Sequence, residues 1–143
     1  MKIRIIKVGK PAMPEAKSLV ERYVTRLKTM NPIETVEEKD AEKNLEKWVG
    51  AGKFLVSLDE RGKEFSSKEL SQRIQGWMDD PAIKELSFLI GGPYGLSDAA
   101  RAKSSQLWSL SRGTLQGDLA WVVAVEQIYR AFTILRGMPY HHE

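Results

Sequence analysis

An α/β fold, with a mainly parallel sheet and helices on both faces, follows from three features of this sequence. Short apolar stretches of strand length alternate with longer stretches whose apolar residues recur every three or four positions, which is the order of βα units. Two of the short stretches, 54–59 and 86–90, are nearly continuous in apolar residues, as strands covered on both faces require. No repeat, low-complexity tract or long linker interrupts the alternation, so residues 1–143 read as one domain.

Ile3, Ile5 and Val8, interleaved with Lys2, Arg4 and Lys7, predict the opening strand, and Gly9, Pro11 and Pro14 break it. From Glu15 the period changes: Ala16, Val20, Tyr23 and Leu27 form one helical stripe, stopped by Asn31-Pro32. A short strand is expected over 33–37. Asp40 then stands where it can cap a helix that turns Leu45 and Trp48 inward. The strand 54–59 follows. Ser66 and Glu69 have the spacing of a capping box, ahead of a helix burying Leu70, Ile74 and Trp77 and closed by Asp79-Asp80-Pro81. The strand 86–90 runs into the glycine-rich turn 91–95, a short helix starts at Ser97, and 106–110 is a further strand. After the polar loop 111–117, Trp121, Val125, Ile128, Phe132 and Leu135 mark the most regular amphipathic helix, which Gly137 and Pro139 end.

Composition narrows the function classes. The absence of cysteine removes disulfides, thiol nucleophiles and cysteine-ligated zinc. No apolar run approaches the length of a membrane span, and the alternating N-terminus is unlike a signal peptide, so a soluble cytoplasmic protein with no membrane partner is expected. The net charge is only +3, but residues 1–30 hold eight Lys or Arg against Glu15 and Glu21. Such a basic end is either a solvated face or a guide toward phosphate backbones. No glycine pattern follows GxGxxG, and none of the three Gly-Lys pairs continues as a P-loop. The only histidines, His141 and His142, lie at the end of the chain, so neither a serine-hydrolase triad nor a histidine metal site is expected.

What remains is the carboxyl edge of the expected sheet. The turn 91–95 puts glycines where parallel α/β sheets bind ligands; it is either a ligand loop or a tight turn requiring glycine. The strand ends at Leu58-Asp59 and Leu110-Ser111 are candidates to meet it. The loop 111–117 offers hydroxyls and free amides suited to a purine edge and a ribose, or is a plain connector. Glu126 and Arg130 have the spacing of an i,i+4 ion pair, with RNA contact as the other reading.

Four segments in order, FLIGGPYGLS at 88–97, LWSLSRGTL at 107–115, VEQIYRAFTILRG at 125–137 and the terminal PYH, resemble the bacterial large-subunit ribosomal RNA pseudouridine N3-methyltransferases of the SPOUT superfamily. The resemblance covers essentially the whole chain. It implies a deep trefoil knot in the C-terminal half, against the general rule that chains avoid knots. It implies a pocket for S-adenosylmethionine formed by Leu58, Gly92, Ser111, Arg112, Gly113, Thr114, Leu115 and Gln116. It also implies a homodimer whose partner completes each site. The reaction implied is methyl transfer to N3 of a pseudouridine in a 23S rRNA stem-loop on the ribosome, with no metal. By the same resemblance, Tyr140 and His141 are the catalytic candidates; with an RNA substrate implied, Arg130 and Glu126, singled out above by their spacing, are the candidates for RNA contact. The chain departs from its relatives after Leu115: they usually continue Leu-Pro-His-x-x-x-Arg, whereas here Gln116, Gly117 and Trp121 fill those places. The alternatives are therefore a knotted RNA- or ribosome-binding module with weakened catalysis, or a methyltransferase acting on another RNA.

Overall fold

The structure is a computed structural model that describes residues 1–91 and 95–142. Five strands, β1 (Lys2–Val8), β2 (Ile33–Glu38), β3 (Lys53–Glu64), β4 (Glu85–Ile90) and β5 (Gln106–Ser109), pair in the order β2-β1-β4-β3-β5, and every pairing is parallel. Among the described residues there are four α-helices: α1 (Pro14–Lys28), α2 (Ser67–Asp79) and α3 (Asp98–Lys103) between strands, and α4 (Gly117–Leu135) after β5.

The period-two alternation of strand side chains sorts the core into two clusters. On one face Ile3, Ile5, Phe88, Ile90 and Trp108 meet Val20, Val24 and Leu27 of α1, Leu70, Ile74 and Trp77 of α2, and Trp121, Val125, Ile128 and Phe132 of α4. On the other, Ile6, Leu55 and Leu89 meet Leu45, Trp48, Leu96 and Ala100. The central strands carry apolar residues at both parities because both faces are covered. The expected capping box is present: the Glu69 amide donates to Ser66 Oγ at 3.1 Å, and the Ser66 amide donates to Glu69 Oε1 at 2.8 Å.

Three expectations are corrected. The segment from Asp40 is not a helix but a series of turns ending in one 3₁₀ turn, Leu45–Lys47. Burying Leu45 and Trp48, three apart, needs only one turn, and Gly50 and Gly52 with φ of 118° and 77° then redirect the chain into β3. Strand β3 does not stop at Asp59. It makes a detour and pairs with β5 again, so that Trp108 is in register with both Leu58 and Lys63. Gly62 permits this approach, because a Cβ there would fall 2.6 Å from the Trp108 nitrogen. Lastly, α4 begins at Gly117, ahead of the apolar stripe, because Gln116 Oε1 accepts from the amides of Asp118 and Leu119 and caps it.

Among the described residues no helix is long and apolar enough to cross a membrane, and no group of His, Asp and Glu side chains is arranged to hold a metal ion.

Candidate active site

The carboxyl ends of β4 and β5, with the detour of β3 after Leu58 beside them, open a cavity of about 360 Å³. Strand β3 contributes Leu58 to Arg61, and β4 contributes Ile90 and Gly91. Leu110, Ser111, Gly113, Thr114 and Leu115 supply the third wall, with Gly117 and Ala120 of α4 beyond them. Apolar side chains form part of the lining, and backbone, the hydroxyls of Ser111 and Thr114 and the charged Asp59, Glu60, Arg61 and Arg101 provide the polar part.

The loop after β5 is held by its own polar atoms. Ser109 Oγ donates to the Ser111 carbonyl at 2.7 Å, and Ser111 Oγ donates to the Gly113 carbonyl at 2.9 Å. Thr114 Oγ1 donates to Glu60 at 2.7 Å and ties this loop to the detour of β3. On the opposite wall, buried Asp59 accepts from the Arg61 amide at 2.8 Å and from Arg101 Nε at 2.6 Å. The bond to Asp59 raises the already basic Arg101 guanidinium further, so this carboxylate is neutralised in place. Glu60 is the acidic side chain of the lining that faces no such cation in the contacts described.

Beneath the α4 end of the cavity lies a buried ion pair. Lys7 Nζ is 3.8 Å from Asp118 Oδ1 and donates to the Val8 carbonyl at 3.0 Å, while Asp118 Oδ2 accepts from the amides of Ala12 and Met13 at 2.8 and 2.7 Å. Burial lowers the Lys7 ammonium below its ordinary range, and the Asp118 and Glu37 carboxylates act against that shift.

The remaining predicted residues gather elsewhere, on α4 and the tail. Arg130 Nε donates to Glu126 Oε1 at 2.9 Å, so the expected ion pair is present, and the Tyr140 hydroxyl donates to the same oxygen at 3.1 Å. The Arg130 guanidinium lies 4.6 Å from the centre of the Tyr140 ring and 3.1 Å from His141 Nδ1. Arginine has only hydrogens to give, so Nδ1 is the acceptor. Burial, together with the Tyr23 hydroxyl and the Glu126 carboxylate, moves Tyr140 well above the ordinary phenol range and keeps it protonated.

The family model described as "Predicted SPOUT methyltransferase" matches residues 1–141. The chain belongs to the SPOUT methyltransferase family. It is 37% identical over 154 residues to the Ribosomal RNA large subunit methyltransferase H of Geobacter metallireducens, with 99% of each chain covered. It is 40% identical over 151 residues to the protein of the same name from Deinococcus radiodurans, again with 99% of each covered. Among solved structures it is similar in fold to the SpoU methyltransferase AviRb from Streptomyces viridochromogenes, crystallised with AdoMet, at a TM-score of 0.51 and 16% identity over 96% of this chain and 58% of that one.

Of the residues predicted for the cofactor, this SPOUT chain brings Leu58, Ser111, Gly113, Thr114 and Leu115 into one cavity lining. Arg112 lies in the same loop, Gln116 is spent on capping α4, and Gly92 lies outside the described residues. Tyr140, His141, Arg130 and Glu126 do not line the cavity of their own chain. Sequence reasoning missed Glu60, Arg101 and the Lys7–Asp118 pair. Only the third left a signal, a lysine on the core-facing parity of a central strand.

Proposed function

We propose that this chain transfers the methyl group of S-adenosylmethionine to large-subunit ribosomal RNA, at N3 of a pseudouridine in a 23S stem-loop on the ribosome. The observation that carries the reading is the convergence of Leu58, Gly91 and the loop 111–115 on one cavity at the carboxyl edge. It is supported by full-length relatives named for large-subunit ribosomal RNA methylation and by the AdoMet held by AviRb on a similar fold.

The residues present suit an adenosyl group. Leu58, Ile90, Leu110 and Leu115 offer apolar surface for a ring, and the amides and carbonyls of 111–115 offer partners for its polar edge. Gly91 and Gly117 lie close together in this lining: a Cβ at Gly117 would be in ordinary contact, 3.9 Å, with the Gly91 carbonyl oxygen. When bound, the cofactor supplies an electrophilic methyl on a sulfonium. The protein's part is to bind, to align and to exclude water, which can supply much of the rate of such a displacement. Glu60 sets a negative charge at the lining that favours a cationic ligand.

The tail serves a second copy in this reading. Leu119 and Val123, one turn apart on α4, are 47% and 40% exposed, and with Leu115 in the loop ahead of the helix, 39% exposed, they offer apolar surface suited to a homodimer interface. Across that dimer Tyr140 and His141 act at the partner's pocket, Tyr140 through the lone pairs of its hydroxyl oxygen because its one hydrogen is given to Glu126, with Arg130 and Glu126 fixing the tail and facing RNA. The single-domain unit, the C-terminal trefoil knot and a cytoplasmic location, where ribosomes are reached, belong to the same reading.

The test is mass mapping of ribosomal RNA from cells with and without this gene. The reading expects loss of one methyl on a 23S pseudouridine. A methyl lost from another RNA nucleotide would replace the target while keeping the reaction, and an unchanged map would leave a binding module.

A further inference from the structure

The Lys7–Asp118 pair has no part in the reaction described above, yet it touches the cavity's frame from two sides. Strand register sets Lys7, the next-to-last residue of β1, beside Ile90, one residue from Gly91. Its parity with Ile3 and Ile5 turns it toward α1 and α4, where it is 3% exposed. Asp118, also 3% exposed, directly follows Gly117, whose ideal Cβ would lie 3.8 Å from Lys7 Nζ and 3.9 Å from the Gly91 carbonyl oxygen. Both of these glycines line the cavity.

Asp118 also stands between two helix starts. It lies in the first turn of α4, and it accepts from the amides of Ala12 and Met13 just ahead of α1, a helix with no side-chain cap of its own. Both helix ends favour a negative charge there. The carboxylate thus joins the loop after β1, the start of α1 and the start of α4, and Lys7 adds the end of β1. The loop 111–117 has one end on β5 and the other on this joint.

From this placement we infer that Lys7 and Asp118 are positioning residues for the methyl-donor pocket: their pairing fixes Gly117 against Gly91 and so holds the loop 111–116 in its binding form. The inference rests on the donor reading of the cavity given above.

The experiment uses the full chain and S-adenosylhomocysteine as probe. Its dissociation constant is measured by calorimetry at a temperature well below unfolding, alongside the Tm and amide hydrogen exchange of residues 111–117 without ligand. In Lys7→Met the dissociation constant is expected to rise by about tenfold, the equivalent of one ordinary hydrogen bond, with faster exchange in 111–117. The double variant Lys7→Met/Asp118→Asn, which keeps an acceptor for Ala12 and Met13 but has neither the pair nor an orphaned charge, is expected to retain that loss; full recovery would assign the loss to the orphaned charge and overturn the inference. Should Lys7→Met fail to fold, Asp118→Asn alone carries the same expectation. A lowered Tm with unchanged affinity and unchanged exchange in 111–117 would overturn the inference and leave the pair a purely structural contact. If the unmutated chain gives no heat with the probe, the donor reading fails, and the exchange of 111–117 still decides whether the pair holds the loop.

Discussion

Two glycine-to-alanine changes in this chain should have opposite signs, and the structure gives both magnitudes. At Gly62 a Cβ would fall 2.6 Å from the Leu107 carbonyl carbon and from the Trp108 nitrogen, both backbone atoms of β5. Ordinary contact begins about 0.8 Å further out, and backbone in a paired strand has no rotamer by which to yield, so the cost belongs at the top of the overpacking range, about 3 kcal/mol. The second contact of β3 with β5, Lys63 with Trp108 and Glu64 with Ser109, is the part that would give way. For a chain of this size that loss lowers the Tm by about 10 °C. Gly76 lies within α2, exposed, with nothing within 4 Å of an added Cβ. There alanine only improves helix propensity and should stabilise by about 0.5–1 kcal/mol. Urea denaturation of the two variants and the parent, with the slope checked for constancy, measures both effects. A Gly62→Ala chain as stable as its parent would refute the claim that β3 returns to β5 through a contact only glycine allows.

Other consequences are checked by the same unfolding measurements. Phe132→Ala removes a 1% exposed ring from the larger cluster and should cost about 3–5 kcal/mol. Ser66→Ala removes the cap of α2 and should cost about 1 kcal/mol. The Glu69 carboxyl is held below its usual 4.5 by the Ser66 bonds, so the folded state binds that proton less readily than the unfolded chain. Its contribution is therefore present above that value and lost as pH falls through the lower folded value, and Glu69→Gln should remove this part of the acid sensitivity. Tyr140→Phe loses the donor to Glu126 and should change stability by no more than about 1 kcal/mol, while slowing methyl transfer to ribosomes by about tenfold or more.

The legible parts of the fold were those written as local patterns. The stripes of α1, α2 and α4 and the apolar runs of β3 and β4 declare themselves because burial on one or both faces leaves a period in the sequence. Residues 60–64 were not legible as strand: Glu60, Arg61, Gly62, Lys63 and Glu64 carry no apolar residue, and what makes them a continuation of the strand is pairing with Trp108 and Ser109, more than forty positions away. The turns after Asp40 misled because a cap residue and an i,i+3 apolar pair fit one turn as well as three. At the site, the strand ends and the loop 111–115 were visible in sequence, partly by pattern and partly by resemblance. The links of Arg101 to Asp59 and Thr114 to Glu60 were not, since each joins residues brought together only by the sheet.

On the function proposed, one cavity, at the carboxyl ends of β4 and β5 beside the detour of β3, takes the methyl donor. A crystal structure of the chain with S-adenosylhomocysteine tests it most directly. The adenosyl group is expected between Leu58, Gly91 and the backbone of 111–115; density for the ligand at any other place on the chain, with this cavity filled by water, would contradict the account.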